Sequence, residues 1–169
     1  MWKRLKQYAL AVVAGAAVLA LLSSSPANAT GLAATRTVFY AGVVAGEYLP
    51  WASDNQVTGR NNAPMEGLWI MPWGGGEICA TASIPGRGWQ DWQCAQPGVS
   101  FLVGTVGQGL TMNGLSVRTQ FGRICLQVAT RDPSQPWVRF WWGPKCSNSG
   151  IGMPAGNHWI ELVAIYYES

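Results

Sequence analysis

The sequence predicts an all-β domain made from three copies of one unit, and three observations predict it. One apolar segment recurs as Met65-Glu66-Gly67-Leu68-Trp69-Ile70, Met112-Asn113-Gly114-Leu115-Ser116-Val117 and Ile160-Glu161-Leu162-Val163-Ala164-Ile165, its starts 47 and 48 residues apart. A second keeps nearly the same beat: Phe39-Tyr40-Ala41-Gly42-Val43, Ile78-Cys79-Ala80-Thr81-Ala82 and Ile124-Cys125-Leu126-Gln127-Val128. The four cysteines fall at corresponding places, Cys79 matching Cys125 and Cys94 matching Cys146, 46 and 52 residues apart. Two markers and a cysteine pattern recurring in one order mark a copied structural unit.

Ahead of the first copy, Lys3, Arg4 and Lys6 precede an apolar run over residues 9–22, and Ala27-Asn28-Ala29 gives a small-x-small cleavage site. The run is shorter than the roughly 20 residues a membrane span needs. The pattern is that of a helical secretory signal over residues 1–29. The chain that remains, residues 30–169, has eight basic and eight acidic side chains, because three of the eleven basic residues sit in the leader. That balance leaves no basic surplus to pull in nucleic acid or an anionic membrane, and no nucleic-acid partner is expected. No later stretch is long and apolar enough to span a bilayer. A chain of this size is one domain, with repeats over approximately 36–74, 75–121 and 122–169.

Within each copy the recurrent segments read as strands, being β-branched and aromatic with apolar residues at alternate positions. Leu68/Ile70, Leu115/Val117 and Val163/Ile165 stay apolar in all three copies, the pattern of a core face. In the last strand, Ile160, Leu162, Ala164 and Tyr166 are expected to share one face. Gly67 and Gly114 suit close backbone approach, with Leu162 in their place in the third copy. Gly74-Gly75-Gly76, Pro85-Gly86-Arg87-Gly88 and Asp132-Pro133 with Pro136 break the chain into hairpins. The midpoints between Cys79 and Cys94 and between Cys125 and Cys146 fall inside the last two of these turns. Of the three pairings four cysteines allow, this places Cys79–Cys94 and Cys125–Cys146 across hairpins. Tyr40 is expected at the cysteine position of the first copy, which then holds by packing alone. Three such copies bury a shared core when packed around a threefold axis, as a β-prism of three four-stranded sheets or as a β-trefoil.

The second copy also runs through Gly88-Trp89-Gln90-Asp91-Trp92 and Gly104-Thr105-Val106-Gly107-Gln108 before reaching Met112. In these two steps and the strand that follows, it resembles the clostridial hydrophobic repeat with a conserved tryptophan. The first copy has Tyr48-Leu49-Pro50-Trp51 and Thr58-Gly59-Arg60-Asn61-Asn62 in their place, and the third Gln135-Pro136-Trp137 and Gly150-Ile151-Gly152-Met153. The cysteines depart from that repeat. Trp89, Trp92 and Cys94, with Asn113-Gly114-Leu115, are similar to the repeat of the vitelline membrane outer layer protein family. That second resemblance implies a β-prism with threefold internal symmetry, and both imply an extracellular or surface-layer protein. The first further implies attachment to glycans or proteins of a cell surface.

Catalytic patterns are weak. The one histidine, His158, stands at the mouth of the last strand with no acid fixed near it in sequence, as a loop residue does. No Gly-x-Ser-x-Gly elbow occurs. Glu66 and Glu161 occupy equivalent positions, which favours a structural role over paired glycosidase carboxylates. Asp54 and Asp91 lie near Trp51 and Trp92. With cysteines assigned to disulfides, zinc lacks ligands, and Asp54-Asn55 is too sparse for a calcium loop, so no metal or cofactor is expected. The Gly-rich stretch from Gly104 to Gly109 has no lysine and no following helix, so it is not a phosphate loop.

Tryptophan is the outstanding residue type. Trp51, Trp89, Trp92, Trp137, Trp141 and Trp142 cluster at or beside the hairpins. An exposed indole stacks on a sugar ring while neighbouring Asp, Asn or Gln bonds the hydroxyls. A tryptophan is more often buried than not. Spacing on an unbulged strand would turn Trp89 and Trp92 to opposite faces, as it would the neighbours Trp141 and Trp142, so at least one exposed tryptophan is expected in each of these two copies. The candidate binding set is therefore Trp51, Asp54, Asn55, Trp89, Asp91, Trp92, Gln93, Trp137, Trp141 and Trp142. The expected function is a secreted, non-enzymatic module of the cell surface or extracellular matrix that recognises polysaccharide. The alternative is a structural or protein-interaction protein of a surface layer, and a small hydrolase or inhibitor is a minor third.

Overall fold

The computed structural model describes residues 35–168. The expected signal segment lies outside them. Every regular element among the described residues is a strand. In chain order these are β1 (Thr37–Val44), β2 (Glu47–Tyr48), β3 (Ala52–Ser53), β4 (Thr58–Gly59), β5 (Met65–Trp73), β6 (Ile78–Ile84) and β7 (Gly88–Trp89). There follow β8 (Gln93–Ala95), β9 (Phe101–Gly104), β10 (Gly114–Thr119), β11 (Ile124–Asp132), β12 (Gln135–Ser147), β13 (Ile151–Met153) and β14 (Trp159–Tyr167).

These strands make three antiparallel sheets. The first is ordered β2-β1-β5-β9 with β3 also on β1, the second β13-β10-β6-β7 with β8 also on β6, and the third β12-β11-β14-β4. Each is centred on two recurrent segments in one register: Leu68 lies opposite Gly42, Leu115 opposite Ala82 and Val163 opposite Val128. The flanking strand comes from a distant part of the chain in every case. β9 joins β5, β13 joins β10, and β4 joins β14. None of the three sheets is complete without residues that belong, in sequence, beside another.

The inner faces meet in one core. Leu68, Ile70, Leu115, Val117, Val163 and Ile165, the positions expected to be apolar in every copy, are all fully buried there. Burying each such side chain contributes about 1.5–3 kcal/mol. At the centre the Met112 amide donates to the Met65 carbonyl at 2.8 Å, and the Ile160 amide to the Met112 carbonyl at 2.9 Å. These bonds tie the starts of β5, the β10 segment and β14 to one another.

Just after each of these residues the chain departs from regular pairing. The register skips Glu66 between β1 and β5, and Glu161 between β11 and β14. A bulge moves later residues to the other face. Hence Ile160 joins Val163 and Ile165 in the core, while Leu162 and Ala164 take the opposite face, which corrects the single face expected for Ile160, Leu162 and Ala164. The bulged side chains hold neighbouring loops. Glu66 accepts from the Gly107 amide at 2.7 Å, Glu161 accepts from the Asn62 amide, and Asn113 donates to the Gly156 carbonyl at 2.9 Å. Each loop follows one of the strands β9, β4 and β13, so the bulge residue latches the incoming segment in place.

Both disulfides form as expected, Cys79–Cys94 and Cys125–Cys146, each between directly opposed residues of adjacent strands. The first-sheet counterpart of the cysteines is corrected by one residue. Cys79 and Cys125 lie three residues before Ala82 and Val128, and three before Gly42 is Phe39, opposite Ser53. Tyr40 points the other way, fully buried in the core. A one-residue slip exchanges the faces of a strand.

The third hairpin needs a similar correction. Trp89 lies opposite Ser83, Tyr48 opposite Val43 and Trp141 opposite Ala129, so Trp141 and not Trp137 takes that place. Trp137 stands nearer the tip of a longer β11–β12 ribbon. The step read in Gly150-Ile151-Gly152-Met153 is displaced too: Met153 lies opposite Leu115 as Val103 lies opposite Leu68.

Candidate functional site

The outer face of the second sheet brings two of the expected tryptophans, Trp89 and Trp92, together with polar side chains. Alternation turns Ala80, Ala82, Leu115 and Val117 inward, which leaves Thr81, Ser116 and Arg118 on the outside. Trp89 ends β7 and lies against Gly114, where a Cβ would stand 3.0 Å from the indole. A side chain at that position would push the ring away. Beyond Trp89 the chain leaves the sheet, and Gln90 controls how. Its amide donates to the Ala82 carbonyl at 2.9 Å, and its carbonyl accepts from the Thr81 hydroxyl at 2.7 Å. Its side-chain carboxamide accepts from the Gly104 amide at 2.7 Å and donates to the Gly104 carbonyl at 3.1 Å.

This clamp returns Trp92 to the sheet beside Ser116. The Arg118 guanidinium lies 4.5 Å from the Trp92 ring centroid, within cation–π range. Two cavities adjoin here and share Trp92 and Ser116. One, of about 210 Å³, is lined by Thr81, Trp89, Gln90, Trp92 and Ser116. The other, of about 260 Å³, extends past Trp92 to Arg118, Ser149 and Gly152. Gly152 keeps that second cavity open, since a Cβ there would overlap the Ser116 hydroxyl.

The other outer faces differ chemically. In the first sheet the cross-strand pair equivalent to Thr81–Ser116 is Ala41–Trp69, and with Tyr48, Leu49, Trp51 and Ser100 it lines a largely apolar cavity of about 300 Å³. Asp54 and Asn55 do not line it; they form the turn after β3 with positive φ. In the third sheet the equivalent pair is Gln127–Ala164. There Trp141 is exposed, whereas Trp142 packs on the core beneath Lys145, whose ammonium is 4.7 Å from its ring. The opposite orientation expected of these two neighbours is observed. Trp137 is 77 % exposed.

None of the nine described tryptophans is buried. The inner strands carry Gly42, Ala80 and Ala82 where the sheets converge, and a close-packed interior of that shape has no volume for an indole. Both Trp89 and Trp92 are exposed, because Trp92 lies between β7 and β8 and strand alternation does not govern it. Asp91 and Gln93 are exposed but line neither second-sheet cavity. Ser116 and Arg118 were legible as the outward positions between Leu115 and Val117 and beyond. Ser149 and Gly152 carry no such signal, since β13 arrives from the far end of the chain.

Four ionisable groups among the described residues depart from their ordinary pKa values, each for a local reason. Burial would raise the Glu161 carboxyl, but hydrogen bonds from Arg139, the Asn62 amide and Arg131 outweigh it and hold the group below the usual range. Burial pushes the Tyr40 phenol up to about 12 and raises that of Tyr167 as well. Asp132 is lowered by the Ser134 hydroxyl and amide at the β11–β12 tip. His158 is half-buried beside Gly156, and its Nε2 has no hydrogen-bond partner among the described residues. The groups of three close potential metal ligands found among the described residues each include both sulfurs of a disulfide.

The chain matches no family model, and no curated protein and no solved structure shows a significant match to it.

Proposed function

We propose that this is a secreted, non-enzymatic binding module that recognises polysaccharide through the Trp89–Trp92 face of the second sheet. The observation that carries the reading is the pairing of two half-exposed indoles, Trp89 and Trp92, with the Ser116 hydroxyl in one groove, over a buried Thr81 whose hydroxyl is held by the Gln90 carbonyl. Flat apolar faces above hydroxyl partners suit the two sides of a pyranose ring. The two disulfides are consistent with an extracellular protein. In this reading the domain is a threefold β-prism related to the tryptophan-bearing surface repeat, a view supported by the common register of the three sheets and the exchange of β4, β9 and β13. The three faces have diverged, so one glycan site is proposed rather than three.

Co-sedimentation of the mature chain with insoluble cell-wall polysaccharides tests this. Trp89→Ala and Trp92→Ala should each lower retention about tenfold, with an unchanged thermal midpoint as the control for folding. Retention that neither substitution alters overturns the site.

A structural or protein-interaction role in a surface layer rests on a different observation. β12 is the long edge strand of the third sheet and displays exposed Trp137, Phe140 and Trp141, and an unpaired apolar edge favours strand addition. Concentration-dependent self-association in sedimentation velocity, without polysaccharide retention, would favour this role.

A further inference from the structure

We propose that the part of the groove beyond Trp92 is an acidic subsite, which takes a sugar carrying a carboxylate. The inference rests on the polysaccharide reading and specifies its ligand. Trp92 divides the groove. On one side lie Trp89, Thr81 and Gln90, a neutral, aromatic space. On the other lie Arg118, Ser116 and Ser149, which add a guanidinium and two hydroxyls.

Arg118 is free to bind a ligand. Among the described residues it has no hydrogen-bond or ion-pair partner, and its guanidinium lies over the Trp92 ring. Contact with a ring face does not use the N–H donors of a guanidinium, which remain able to bind a carboxylate through two parallel hydrogen bonds. No carboxylate lines either cavity. Glu77 borders a separate hollow with Arg118, but its carboxylate accepts from Gln96 at 3.2 Å instead. A single guanidinium matches the single negative charge of a carboxylate better than the near-double charge of a phosphate monoester, and polyphosphate tests the singly charged phosphate.

One sugar unit would then lie between the indoles and its neighbour over Ser116 and Gly152, with the carboxylate on Arg118. A hydrogen bond to a charged group strengthens binding by roughly tenfold or more.

The test uses soluble carboxylated polysaccharides (polygalacturonate, alginate, hyaluronan), each beside its carboxyl-reduced form, with polyphosphate as a second anion. Affinity is measured for the mature chain and for Arg118→Gln, Arg118→Lys and Trp89→Ala. The expected result is that at least one carboxylated polymer loses about tenfold or more on carboxyl reduction and a similar factor with Arg118→Gln. Arg118→Lys should fall between, and the preference should weaken as salt rises. Equal affinity for the reduced polymer, an unaffected Arg118→Gln variant, or stronger binding to polyphosphate overturns the acidic subsite. Carboxylated and carboxyl-reduced polymers that bind equally well, both weakened by Trp89→Ala and neither changed by Arg118→Gln, remove the subsite but keep the glycan reading. If no polymer of either kind binds, both fall.

Discussion

The side chain of Gln90 closes a two-bond ring on the backbone of Gly104, accepting from its amide at 2.7 Å and donating to its carbonyl at 3.1 Å. Gln90 belongs to the Gly-Trp-Gln step of the second copy and Gly104 to the Gly-Thr-x-Gly-Gln step. The two sequence steps are thus halves of one contact, which joins the β7–β8 connection to β9 while β9 itself pairs with the first sheet. The same clamp sets the direction in which Trp92 leaves β7.

Gln90→Ala should therefore affect both stability and site. Losing two neutral hydrogen bonds and leaving Gly104 unpaired costs about 2 kcal/mol, read as a lower urea midpoint with an unchanged slope. Polysaccharide retention should fall as well, because Trp92 is no longer held over Ser116. Gln93→Ala, on the exposed side of β8, should change neither. Equal effects from the two substitutions would sink the clamp.

A second prediction concerns the sheet that lacks a disulfide. Phe39 and Ser53 oppose one another in the first sheet as the bonded cysteines do in the other two. The double substitution Phe39→Cys with Ser53→Cys should form a third disulfide on oxidative refolding. Closing that short loop is worth about 3 kcal/mol against the reduced form of the same variant. Thiol titration after denaturation decides it: two free thiols would show that the register is wrong, and Tyr40→Cys with Ser53→Cys should stay reduced.

Trp137 separates display from recognition. It is the most exposed of the tryptophans and sits close to the tip of the β11–β12 ribbon, away from the second-sheet groove. Trp137→Ser should leave stability within about 0.5 kcal/mol and should not alter polysaccharide retention. A loss of retention matching that of Trp89→Ala would move the site to the ribbon.

Sequence reasoning reached the all-β fold and both disulfides. Leu68, Leu115 and Val163 were expected in the core as the apolar positions of three similar segments, and they are buried there, while the cysteine pairing followed from turns at the right midpoints. It failed where one residue changes a face. Glu66 and Glu161 look like ordinary strand residues, but bulges there set which of Ile160 and Leu162 reaches the core. Tyr40 and Phe39 differ by one position and by everything in environment. The groove was half legible: Trp89 and Trp92 announce it by type, while Ser149 and Gly152 reach it only because β13 crosses from another part of the chain.

Glu161 gives the last prediction, because it is a fully buried carboxylate that holds three segments at once. It accepts from Arg131 Nε at 3.0 Å, from Arg139 Nε at 2.9 Å and from the Asn62 amide. Arg139 in turn donates to Asn61, and Arg131 to the Pro136 carbonyl at 2.6 Å. The carboxyl pKa in the folded state is held below its ordinary 4.5. A depressed carboxylate contributes stability that is complete above the ordinary value and is lost as pH falls through the folded one. The urea midpoint should accordingly hold steady from neutral pH down to about 4.5 as far as this group is concerned, then drop. Glu161→Gln removes that part of the acid limb, leaving a shallower fall to which Asp132, also lowered, still contributes. At neutral pH the same substitution should cost about 3 kcal/mol, since it leaves two guanidinium groups around an uncharged amide in the interior. Arg139→Gln should cost less, because Arg139 is partly exposed and Arg131 remains on the carboxylate. A Glu161→Gln protein as stable as its parent at neutral pH, or one with a parallel acid limb, would show that the ion cluster does not hold the first-sheet loop to the third sheet.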